Sequence, residues 1–379
     1  MKKNIFCLLI IPIFSVNLSA SFGLNDISIL IPLPKNETEL NQLIATSPEI
    51  MPKKLFDSLP ILTPMLAQND LYSKYLKVVG LRFDPCFTSG FQPQICRPQI
   101  RLVWQPLVKT NNNYTTVDVA VHSFYEFDAF EWHSIIDELR KISNTDLSLS
   151  LQVHPVLNRE GFNSNYWKQL KELVLKNAIH KNLIQMTTMT LRADRVWSFN
   201  GLEFKNNQWQ QIEIPTLKFP NRPEAKIINQ AFILEPESLL NLREFKGSVT
   251  LLDLNNKNWF NLISDSIKFA ETKTEAEIVD SIKLAQNIEN PRNHNPGTID
   301  CVSCHISQTI RLWGKSKLKT YNQIFNLEKS KYANPNFNLK NNSLNPENTN
   351  RVRAFGYFDD EPIISDRVIN ETAESLKYF

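Results

Sequence analysis

Residues 301–305 of this 379-residue chain read Cys-Val-Ser-Cys-His, two thiols separated by two residues and followed at once by an imidazole. Thiolates are nucleophiles and metal ligands, and they pair with each other; a neutral imidazole binds iron or zinc. Cys301, Cys304 and His305 could therefore tether a haem, close a small disulfide loop or supply half of a zinc site. Few other stretches compete with this one. "HSFYEFDAFEWH" gathers His122, Glu126, Asp128, Glu131 and His133. On a strand over 117–127 the alternation of side chains puts His122, Glu126 and Asp128 on one face, and the stretch reads as a solvated strand edge rather than a ligand set. His154, just before Pro155, reads as a boundary histidine with satisfied hydrogen bonds. The chain has no G-x-S-x-G, no H-E-x-x-H and no phosphate-cradling glycine loop. A hydrolase reading lacks its nucleophile.

The spacing of Cys301, Cys304 and His305 resembles the attachment site of c-type cytochromes, a resemblance confined to these five residues. It implies one haem c, joined through thioethers to Cys301 and Cys304, with His305 as the proximal iron ligand. The chain departs from the small members of that class. Its five methionines, Met1, Met51, Met65, Met186 and Met189, all precede the motif, and no histidine follows His305. The sixth iron position is left between three readings. One is His294, which a fully extended segment could set about 20 Å from Cys301. Another is Met186, Met189 or His180 from the larger domain, and the third is water or a vacancy. Two strong ligands suit electron transfer, whereas an open face suits small-ligand binding or peroxide chemistry. Arg311 could neutralise a haem propionate and Trp313 could stack on the macrocycle, although ordinary packing accounts for both.

The amino terminus points to a compartment. "MKKN" is basic, "IFCLLIIPIFSV" is apolar and "NLSA" ends in small residues, the order of a secretory signal peptide cleaved near Ala20. A periplasmic or secreted protein is expected, with Cys7 lost on cleavage and no integral membrane segment afterwards. Losing Lys2 and Lys3 takes the formal charge from +3 to +1, which argues against nucleic acid as a partner. In an exported chain Cys86 and Cys96 are expected to form a disulfide, worth about 2.5–3 kcal/mol in the loop-entropy model.

These segments need a scaffold. After the signal (1–20), residues 21–75 read as an extended and helical arm punctuated by proline. Residues 76–268 read as an α+β domain with a mostly antiparallel sheet. Its strand signals include "QIRLVWQPLV", "TTVDVAVHSFYEF", "LSLSLQVHPVL" and "GSVTLLDL", and its helices "FEWHSIIDELRKIS" and "NSNYWKQLKELVLKNAI". Asn200-Gly201 reads as the tight turn of a hairpin. Residues 269–379 carry almost no strand signal and read as a helical, cytochrome c-like module bearing the haem. The expected role is single-electron transfer or haem-based sensing with an unidentified redox partner protein. One haem exchanges one electron, which favours a carrier or sensor over an enzyme. The alternative is an exported, disulfide-stabilised binding or envelope protein without haem.

Overall fold

The computed structural model describes residues 22–88, 96–111, 113–143, 145–191, 196–212, 230–233, 257–264, 266–295, 299, 301–318, 332 and 353–379. The expected signal peptide, the strand expected at "GSVTLLDL" and the asparagine-rich stretch at 330–350, apart from Tyr332, lie outside them. Among the described residues no helix is long and apolar enough to cross a membrane.

The fold is α+β around one large antiparallel sheet. Its strands are β1 (Ser28–Leu30), β2 (Leu76–Thr88), β3 (Cys96–Thr110), β4 (Asn113–Thr116), β5 (Ala120–Glu126), β6 (Leu183–Leu191), β7 (Val196–Lys205), β8 (Gln208–Gln211) and β9 (Gln230–Ile233). They run in the order β1-β2-β3-β5-β6-β7-β8, with β4 on β3 and β9 on β7. The Cys86–Cys96 disulfide forms, tying the ends of β2 and β3 together.

Register decides what each face carries. Leu102, Ser123, Met186 and Leu202 lie in one row across β3, β5, β6 and β7. Leu81, Ile100, Leu102, Trp104, Val121, Tyr125, Met186 and Leu202 belong to the first core. Trp132, Ile135, Ile136 and Leu139 of the helix Ala129–Ile142 join it, as do Trp167, Leu170 and Val174 of the helix Asn165–Asn177. So do residues of the amino-terminal arm from Phe22 to Tyr72. Both helices follow the 3.6-residue period that "FEWHSIIDELRKIS" and "NSNYWKQLKELVLKNAI" display.

A second core gathers four helices: Lys257–Ser264, Ser266–Thr272, Glu275–Glu289 and Cys301–Lys317. Trp259, Phe269, Ile282, Ile288, Ile306, Ile310 and Trp313 fill it, together with Met189 and Phe199 from the sheet. Gly314 lets the last two helices meet, because a Cβ there would collide with Ile282. Trp259 Nε1 donates to Ser303 Oγ at 3.3 Å, between the two cysteines.

Three expectations are corrected. The tight turn is not at Asn200-Gly201, which lies inside β7. It is at Asn206 and Asn207, whose φ of 54° and 61° suit a two-residue hairpin joining Lys205 to Gln208. Gly201 serves close packing instead, since a Cβ there would strike Ile212. "LSLSLQVHPVL" is not a strand; only Val153 bridges to Leu30, and His154 caps the helix Pro155–Glu160. Residues beyond 270 do contain strands: β10 (Phe355–Phe358) and β11 (Glu361–Ile364) form a hairpin. That hairpin and the closing helix Asp366–Ser375 pack back on the sheet. Gln105 exchanges two hydrogen bonds with the Tyr357 backbone at 2.8 and 3.0 Å, and the Ser28 and Thr372 hydroxyls meet at 2.7 Å.

Candidate functional site

Cys301, Cys304 and His305 open the helix Cys301–Lys317. Positions i, i+3 and i+4 of a helix share one face, so the spacing that suggested haem attachment also aims all three side chains the same way. The other face, with Ile306, Ile310 and Trp313, is sunk in the second core. Neither cysteine is in a disulfide. The ring of His305 lies 4.8 Å from that of Phe199 on β7.

All three residues line a cavity of about 250 Å³. Its other wall is the sheet face opposite the one that carries Leu102, Ser123, Met186 and Leu202. One row across β2, β3, β5 and β6 presents Arg82, Arg101, Phe124 and Gln185. The next presents Val103, His122, Thr187 and Gly201 across β3, β5, β6 and β7. All eight line the cavity, and Phe355, Arg367, Val368 and Glu371 close it from the carboxy-terminal hairpin and helix. The cavity thus lies where three parts of the chain, far apart in sequence, converge.

Cations dominate the wall. Glu371 accepts from Arg82 Nη1 at 2.7 Å and from Arg367 at 2.6 Å, while Arg101 pairs with Asp84. Burial pushes the Glu371 carboxyl upward, but the guanidiniums of Arg367, Arg82 and Arg101 outweigh it and hold the group at about 2. The Nε atoms of Arg82 and Arg101 are buried without a hydrogen-bond partner among the described residues. Such donors are costly to leave unpaired, and the arginines that carry them give the cavity a positive wall.

His122 is the residue that the sequence reading set aside. β5 is not a solvated edge; it lies between β3 and β6 and is covered on both faces. Burial drives the His122 pKa down to about 3, with repulsion from His305, Arg353 and Arg101 acting in the same direction, so the imidazole is neutral near pH 7. Its Nδ1 lies 3.4 Å from the Thr187 hydroxyl. The other members of the stretch do structural work. Asp128 and Glu131 form the capping box of the helix Ala129–Ile142, Glu126 pairs with Arg97 at 2.9 Å, and His133 is exposed.

The sequence-derived candidates for the sixth iron position are placed elsewhere. Met186 is buried in the first core and Met189 in the second. His180 is exposed on a short turn. His294 is not among the residues lining the cavity; its carbonyl accepts from Arg367 at 2.8 Å. Arg311 is engaged by Glu289 at 2.8 Å and by Asp366, and Trp313 packs near Phe269 in the second core. His154 is a satisfied core residue, with Nδ1 accepting from the Leu157 amide at 3.3 Å and Nε2 lying 2.9 Å from the Tyr166 hydroxyl. Among the described residues no group of three or more His, Cys, Asp or Glu could hold a metal ion by itself.

The donor set fits a haem: two thiols, an imidazole beside them, apolar walls at Val103, Phe124 and Phe355, and arginines that make the wall positive toward carboxylates. No protein-family model matches the chain, and neither a curated protein nor a solved structure matches it.

Proposed function

We propose that this chain is an exported haem-c protein that passes single electrons to and from a partner protein. The reading rests on one observation: the three motif residues share a helix face and line a cavity whose remaining walls supply the imidazole of His122 and the arginines Arg82 and Arg101. Each thiol, of Cys301 and of Cys304, would add across one vinyl group, its S–H bond giving way to new C–S and C–H bonds with no leaving group. His305 would hold the iron, and bound haem would supply a one-electron couple. Arg82 and Arg101 would receive the propionates through charge-assisted hydrogen bonds. The helices between 257 and 317 would be the haem-bearing module, with the sheet as its cover. The Cys86–Cys96 disulfide agrees with an oxidising compartment.

The test is expression in a host that exports the chain and attaches haem c. A mass increase of one haem, with a Soret band that survives denaturation and acid-acetone extraction, is the expected result. Replacing both cysteines, Cys301→Ala with Cys304→Ala, removes it. A colourless wild-type protein of unmodified mass would leave the chain as an exported, disulfide-stabilised binding protein and end the haem reading.

A further inference from the structure

The haem-attachment motif specifies one axial ligand and leaves the other face of the iron open. Three observations converge on what fills it. His122 and His305 line the same cavity, one from the sheet and one from the helix. The ring of His305 lies 4.8 Å from that of Phe199, which stands on the cavity face one row from His122. The hydrogen bond of His122 to Thr187 uses Nδ1, and its Nε2 makes no hydrogen bond among the described residues. An imidazole that is anchored through one nitrogen while the other faces a cavity has the arrangement of a metal-ligating histidine, whose second nitrogen is held by a neighbouring group. The anchor is rigid, because Thr187 sits beside His122 in the register of two central strands.

Resting on the haem reading, we infer that His122 is the second axial ligand of the iron, bound through Nε2 and oriented by Thr187. The site is then six-coordinate with two imidazoles. Such a site favours electron exchange, because no coordination position stays open for oxygen, peroxide or carbon monoxide. Gln185 and Phe124, the other nearby wall residues, offer weaker ligands or none.

Absorption and electron paramagnetic resonance spectra of the haem-loaded, full-length protein test this. The wild type is expected to be low-spin in both oxidation states and slow to bind carbon monoxide when reduced. His122→Ala should turn it high-spin and admit carbon monoxide at least ten times faster, and added imidazole should restore the low-spin spectrum. His294→Ala should leave the spectra unchanged. If His122→Ala does not fold, His122→Met keeps a donor of similar reach and should raise the reduction potential while staying low-spin. A His122→Ala or His122→Met spectrum identical to wild type, or a switch to high spin in His294→Ala, overturns the inference while leaving covalent haem attachment standing. Absence of the haem mass in the wild type removes both.

Discussion

The two faces of one sheet carry opposite chemistry. On the first-core face Leu102, Ser123, Met186 and Leu202 stand in one row, beside Trp104 and Tyr125. On the cavity face the neighbouring residues in sequence are Arg101, His122, Phe124, Gln185 and Thr187. Both faces are covered, so burial alone does not tell core from site. Polarity does: a strand covered on both sides that still alternates apolar with polar residues is lining something. β2 alternates in this way over Leu81, Arg82, Phe83 and Asp84, yet all four are buried.

The comparison can be broken most forcefully on the core face. Trp104 is fully buried and its Nε1 donates to Ser123 at 2.8 Å. Trp104→Ala should cost about 3–5 kcal/mol, read as a fall in the urea midpoint. On the cavity face the largest effect comes from charge. Glu371→Gln leaves Arg82 and Arg367 without their shared carboxylate. The site is partly open, so about 3 kcal/mol is expected. If Glu371→Gln proved neutral, the guanidiniums would have other compensation and the cavity would not be the strongly cationic site described.

Two histidines sharpen the contrast further. His154 belongs to the first core, stacked on Tyr166 with ring centres 4.7 Å apart. Burial lowers its pKa from 6.5 to about 3. The folded state therefore resists protonation that the unfolded chain accepts. The stability it contributes is complete above pH 6.5 and is lost as pH falls toward 3, about 2 kcal/mol by pH 5. His154→Asn keeps an acceptor for the Leu157 amide and removes the titration. Its melting temperature should lose this part of its slope between pH 6.5 and 5, which thermal scans across that range would measure.

Much of the scaffold was legible in the sequence, because local pattern and final environment agree there. The helices Ala129–Ile142 and Asn165–Asn177 bury the stripe that their periodicity announces. β3 and β5 match their β-branched and aromatic runs, and Cys86 and Cys96 pair as their spacing suggested. What failed depended on partners distant in sequence. Asn200-Gly201 looks like a turn, but Gly201 answers to Ile212 crossing over it. "FGYFDDEPII" gives a short hairpin whose stability comes from Gln105 and Thr116, some 250 residues earlier. His122 was legible as a residue sharing a face with Glu126, but not as one beneath a helix that begins at Cys301. Strand order and the cover over the outer face are set by tertiary packing, which no local window contains.

The smallest effects discriminate best, because adjacent residues should respond with opposite sign. Thr187 and Thr188 follow one another on β6 and face opposite sides. The Thr187 hydroxyl is the hydrogen-bond partner of His122 Nδ1. The Thr188 hydroxyl is buried and has no hydrogen-bond partner among the described residues. Valine matches threonine in shape and removes only the hydroxyl. Thr187→Val should lose about 1 kcal/mol, the net worth of one hydrogen bond. Thr188→Val should gain about 1 kcal/mol, because an unsatisfied buried hydroxyl is replaced by a methyl group. Chemical denaturation of the two variants side by side measures both. Equal signs would mean that the two faces do not differ in the way the hydrogen bonds indicate, since backbone, strand and side-chain volume are common to the pair.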